Sequence, residues 1–251
     1  MTAEAIIAAL NLPLASRVDQ RVPKKLLLEN GASTAADKRL INEGIEELRW
    51  LAALKPAVCG VPDFRDGERE YLEIAVLQLT LRVGAKPERL IELIHRAVPY
   101  PLLLVAIEGR HASLSLAHKR HALNEADKVV LDGEPTNVAL DDAQDPIRQA
   151  FLQALDITRQ PRATLFALYQ GWLDTMAALQ AAGITGTFRL FDSATQANAR
   201  RVALQACLAL QGRISGLRSA AGTASQMARQ VEINLELQHV QAELACARVQ
   251  L

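Results

Sequence analysis

EYLEIAVLQLTLRVGAKPERLIELIHRAVPYPLLLVAIEGRHASLSLA, residues 70–117, holds two apolar runs, a helical spacing between them and a turn signal after the second. From Glu70 to Val83 the first half is apolar at odd and even positions, and the second alternates Leu79, Leu81 and Val83 with Gln78, Thr80 and Arg82. That pattern fits a strand buried on both faces at one end and on one face at the other. In KPERLIELIHRAV, Pro87 suits a first helical position, and Leu90, Ile91, Ile94 and Ala97 fall on one face of a helix of about three turns. LLLVAI, 102–107, is a second apolar strand, which makes a βαβ unit with a right-handed connection if its strands are parallel. Glu108-Gly109-Arg110 reads as a hairpin turn, and HASLSLAHKRH beyond it alternates as a neighbouring antiparallel strand. The stretch is therefore expected to be a βαββ unit at the centre of a small mixed sheet.

Upstream, Thr34 is placed to cap a helix with Asp37 three positions on. Ile41, Ile45, Leu48 and Ala52 share its face, so the helix is expected to continue to just before Pro56. KVVL at 128–131 and TNVAL at 136–140 are candidate further strands. After Asp141 the pattern turns helical, with breaks at Pro161 and weak points at Gly212, Gly216 and Gly222. The reading is an α/β (α+β) N-terminal domain over 1–141 and an all-helical C-terminal region over 142–251. That region ends in a coiled-coil-like arm over about 225–251. In the arm Ile233, Leu237, Val240, Leu244, Ala247 and Leu251 recur at alternating steps of four and three, a seam suited to pairing with another helix or to lying on its own domain.

Lys plus Arg and Asp plus Glu are 28 each in 251 residues, so no net field draws the chain to nucleic acid or to an anionic membrane. Cys59, Cys207 and Cys246 are far apart and lack metal-site spacing, which fits reduced thiols. The N-terminus lacks a signal-peptide pattern, and no run approaches 18 apolar residues, so a cytoplasmic protein with no membrane span is expected.

The candidate chemistry is thin. Asp63 and Glu73 stand where a metal-dependent nuclease would hold its cation, but Ala75 occupies the place of the expected lysine. Asp63, Asp66, Glu68 and Glu70 then read as a solvated charged turn. His111, His118 and His121 are of a ligating type, yet 118 and 121 point to opposite faces of a strand. No phosphate-binding glycine loop and no nucleophile motif occurs. No catalytic residue, metal ligand or cofactor is assigned. Lys24, Lys25, Lys119 and Arg120 are candidates for a weak phosphate-contacting patch, although aromatic stacking partners are scarce.

Five segments, in this order and spacing, resemble the bacterial family named domain of unknown function 4391. They are LNLPLASRVDQRVPKK near the start, IEELRWLAALKP at 45–56, EYLEIAVLQLTL, IHRAVPYPLLLVAIEG with the following LSLAHKR, and the terminal MARQVEINLELQHVQAEL. The resemblance implies a gene encoded beside a helicase, a DNA methyltransferase and a restriction-type endonuclease. It thus implies an accessory subunit of an anti-phage defence or restriction-modification system that docks onto the helicase or methyltransferase. It implies no catalytic mechanism. Ile233, Leu237, Val240, Leu244 and Leu251 are the partner-binding candidates, with self-association as a variant of the same idea. A metal-dependent nuclease and a DNA-binding adaptor are the alternatives.

Overall fold

The computed structural model describes residues 3–122, 125–140, 145–191, 193–224 and 226–251. The chain divides into two compact units, Met1–Met176 and Ala177–Leu251. The expected boundary at 141/142 falls on residues outside the described ones.

The first unit opens with α1 (Ala3–Ala9) and β1 (Arg17–Arg21), followed by α2 (Lys24–Asn30), α3 (Ala35–Gly44) and β2 (Ile45–Leu54). Thr34 caps α3 by accepting from the Asp37 amide at 3.1 Å. The helix expected to run on to Pro56 stops at Gly44, and 45–54 is a strand between β1 and a later strand. Two irregularities in β2, between Ile45 and Glu47 and between Trp50 and Ala52, explain the misleading spacing. They shift the alternation so that Ile45 and Leu48, three apart, meet Leu81 and Leu79, two apart, on one face. A bulged strand thereby imitates a helical period.

After α4 (Pro56–Cys59), β3 (Phe64–Arg65) and β4 (Glu70–Tyr71) come β5 (Ile74–Leu81), α5 (Pro87–Ala97), β6 (Leu102–Glu108) and β7 (His111–Ala117). β5 and β6 pair parallel across α5, and β6 and β7 pair antiparallel through a two-residue loop. Gly109 opens that loop at φ +58°, a value L side chains rarely adopt. β8 (Lys119–Ala122) and β9 (Glu125–Leu131) form a separate ribbon, while β10 (Thr136–Ala139) joins β7. The main sheet is thus six-stranded and mixed, in the order β1-β2-β5-β6-β7-β10.

β5 and β6 are buried along nearly their whole length because both faces are covered. On one face Leu48, Leu77, Leu79, Leu104 and Ala106 meet Leu27 of α2, Ile41 of α3, and Leu90, Ile91 and Ile94 of α5. On the other lie Val76, Leu103, Val105, Leu114 and Leu116, all fully buried, with α1 against β6. α6 (Asp145–Ala154) and α7 (Leu165–Thr185) follow. The Tyr169 hydroxyl of α7, fully buried, accepts from the Ala117 amide at 2.9 Å and lies 2.7 Å from the Leu102 carbonyl. It therefore holds the open end of the β6–β7 hairpin, where Leu102 and Ala117 are register partners.

The second unit is built on α8 (Ala194–Thr223) and α9 (Met227–Arg248). The short connection between them, the Arg213–Glu236 ion pair at 2.6 Å near that connection, and the shared core of Cys207, Ile214, Val240 and Leu244 make them an antiparallel hairpin.

Tyr169→Phe leaves the Ala117 amide and the Leu102 carbonyl without a buried partner, and the expected loss is about 1–3 kcal/mol. Urea denaturation of the two proteins measures it, and an unchanged midpoint would show that the phenol is not what secures that strand end.

Candidate functional site

Tyr71, on β4, is fully buried, and its hydroxyl lies 2.5 Å from Nδ1 of His118. Nε2 of His118 is 2.9 Å from Oε1 of Gln170, whose Nε2 donates to Asp174 at 3.0 Å. These contacts satisfy one direction throughout: the phenol donates to Nδ1, and the ring's Nε2–H donates to Gln170. Phe166 stacks on the imidazole at 5.1 Å between ring centres, and burial pushes the Tyr71 hydroxyl above its ordinary range. Beside this cluster Arg69 donates twice to Asp132, at 3.1 and 2.7 Å, and Arg120 reaches the same carboxylate at 3.8 Å. Phe166, Gln170 and Asp174 lie one helical turn apart on α7, so they share its face toward His118. Nothing in the sequence linked them to the histidine, since pairing across about 50 positions is set by the fold.

Lys119 is 3% exposed and has no carboxylate partner among the described residues. Its ammonium donates to the carbonyls of His95, at 2.7 Å, and of Val98, and so caps the C-terminus of α5. Burial lowers its pKa to about 7. His95, fully buried on α5, contacts the Ser115 hydroxyl at 2.9 Å through Nε2, while its Nδ1 has no hydrogen-bond partner among the described residues. Burial first, and the nearby Lys119 second, push the imidazole down to about 3, so the ring is neutral.

The other basic candidates lie elsewhere. Lys24 donates to the carbonyls of Asn42, at 3.2 Å, and Ile45, beside the end of the sheet where β5 finishes. Lys25 is exposed and pairs with Glu29 at 3.7 Å. Lys119 sits at the opposite end, where β6 begins, so these residues do not converge on one surface. Asp63 is exposed, whereas Glu73 is 8% exposed and pairs with Lys55 at 3.4 Å. Asp66 accepts from the amides of Glu68 and Arg69, which holds its carboxyl below the usual range. Among the described residues no group of three or more His, Cys, Asp or Glu is placed to hold a metal ion. A cleft of about 630 Å³ opens beyond the carboxyl ends of β5 and β6, bordered by Lys86, Pro87, Glu108 and His111.

The terminal helix is different in kind. Val240 and Leu244 are buried against Cys207 and Ile214 of α8, Ile233 is also buried, and Leu237 and Leu251 are half-buried, so this part of the seam is occupied by α8. On the opposite side of the same helix Val231, Leu235, Gln238, Ala242, Ala245 and Val249 also recur at steps of four and three. At 100° per residue this second row lies about 160° from the first. Leu235 is 62% exposed and Val249 81%. The same count begun two residues earlier in the sequence would have found it.

The family model for the domain of unknown function DUF4391 matches residues 10–244. The chain belongs to that family. No match to the chain was found among curated proteins or among solved structures. The family match spans both units, so the helical hairpin is part of the family's domain for nearly all of its length.

Between about pH 7 and 10.5 the unfolded chain holds a proton on Lys119 that the folded chain lacks. Stability is therefore expected to rise with pH across that window, by at most roughly 1.4 kcal/mol per unit from this group. Lys119→Met is expected to flatten the rise in denaturation midpoints measured at pH 6, 8 and 10. A slope unchanged by the substitution would assign the proton to another group.

Proposed function

We propose that this DUF4391 protein is a non-catalytic accessory subunit of a bacterial anti-phage defence or restriction-modification system, and that it docks onto the system's helicase or DNA methyltransferase. The observation that carries this reading is the two-sided terminal helix. One apolar seam of α9 is covered by α8, and the opposite row, with Val231, Leu235 and Val249, is exposed. A two-helix hairpin with an open apolar row lacks the layer that a third helix supplies in a bundle, and exposed apolar patches of this kind mark interaction sites. The kind of partner comes from the resemblance to a family encoded beside helicases and methyltransferases. Two further features agree with a role apart from chemistry: the Tyr71–His118–Gln170 relay has internal partners throughout, and Glu73 is taken up by Lys55.

No helix among the described residues is long and apolar enough to cross a membrane. A cytoplasmic location is part of the same proposal, because the helicase and the methyltransferase act on DNA inside the cell.

The tagged chain expressed with its neighbouring genes tests this. The helicase or methyltransferase is expected to co-purify with the natural chain and to fall at least about tenfold with Val231→Glu plus Leu235→Glu, which place charges on an exposed row. Equal recovery with both proteins, each with an unchanged helical circular dichroism signal, would refute the docking role of α9.

A further inference from the structure

The outward strip of α9 carries no charge along its length. At 100° per residue, every side chain from Met227 to Val249 within about 60° of the exposed row is uncharged and exposed. Arg229, Glu232, Glu236, Glu243 and Arg248 all stand further round the helix. Glu232 pairs there with Arg229, and Glu236 with Arg213 of α8. A surface helix ordinarily turns its charges toward water, so this strip has the composition of a covered face.

The strip is also graded in size about its middle. Met227, Val231 and Leu235 fill the first half, Ala242 and Ala245 the second, and Gln238 lies at the centre. Reversed about Gln238, the row falls on itself to within one residue. Val231 then stands opposite Ala245, Leu235 opposite Ala242, and Met227 opposite Val249, so bulky side chains meet small ones as knobs meet holes.

We infer that α9 pairs with α9 of a second copy of this chain, antiparallel and two-fold about Gln238, and that this pairing covers the docking row until a partner displaces it. As a control on docking the inference rests on the proposed function, whereas the pairing itself rests on the strip. A two-fold contact uses the same patch on both copies, and the two Gln238 amides donate and accept reciprocally. A parallel pair in register would set Leu235 against Leu235 and Ala242 against Ala242, splaying the helices at one end. The antiparallel pair keeps one spacing throughout. DNA does not suit the strip, which offers phosphate no cation. A short pairing with alanines and a central glutamine is weak, with a dissociation constant of about 10 μM or above, so the dilute chain keeps its row open.

Sedimentation equilibrium of the full chain from about 1 to 200 μM is expected to show a monomer passing to a dimer. Gln238→Glu and Gln238→Lys each set like charges at the two-fold centre and are expected to weaken the dimer at least about tenfold, while their mixture restores it. Both substitutions are on the exposed strip, and unchanged helical circular dichroism checks the fold. Cross-linking gives the orientation. In a Cys246→Ser background, oxidising a mixture of Val231→Cys and Ala245→Cys chains is expected to yield a covalent dimer, with little from Val231→Cys alone. A monomer at every concentration, a dimer indifferent to position 238, or efficient cross-linking of Val231→Cys to itself would each overturn the inference. Co-purification separates it from the docking role. A dimer that forms while no helicase or methyltransferase is recovered overturns docking alone. A partner recovered with the 231–245 cross-link intact overturns the control of docking by pairing.

Discussion

Burial of the parallel pair β5–β6 on both faces is the constraint on which the first unit is arranged. Two adjacent parallel strands need a crossover, and α5 supplies it while covering one face with Leu90, Ile91 and Ile94. Strands buried in this way expose no edge between them, so neighbours must complete both flanks. β2 does so on one side, bulging twice to keep its apolar residues in phase, and β7 does so on the other. Polar groups drawn into this layer then need partners of their own. Tyr169 ties Leu102 to Ala117, and Lys119 caps the end of α5.

That arrangement also gives several polar side chains of the most chemical-looking stretch of the chain structural partners. His118 is engaged by Tyr71 and Gln170, and His95 contacts Ser115 through Nε2 inside the core. Tyr71, His118 and Gln170 in one case, and His95, Ser115 and Lys119 in the other, act as fasteners between distant segments of the first unit. Groups of this kind hold a fold in register because each would cost free energy if left unpaired.

Much of this was legible in the sequence, for physical reasons that differ by element. β5, α5 and β6 announce themselves because full burial and helical amphipathicity leave uninterrupted or 3.6-spaced apolar residues, and the mixed sheet with helices after it follows. β2 was misread because bulges give a strand the spacing of a helix, and only pairing with β5 settles its phase. Lys119 was read as a surface cation because nothing local distinguishes it from Arg120; its burial depends on α5 ending directly above it. The terminal seam was visible, but its partner α8 was not, and so its exposed counterpart on the other side of α9 passed unnoticed.

The account turns on which side of α9 faces a partner. Hydroxyl-radical footprinting read by mass spectrometry, on the chain alone and on the chain co-purified with its neighbouring helicase or methyltransferase, measures this directly. Met227, Val231 and Leu235 are expected to be oxidised in the free chain and protected in the complex, with Ile233, Val240 and Trp172 unreactive in both. Continued oxidation of Met227 and Leu235 in the complex, with protection appearing instead on the first unit, would contradict it.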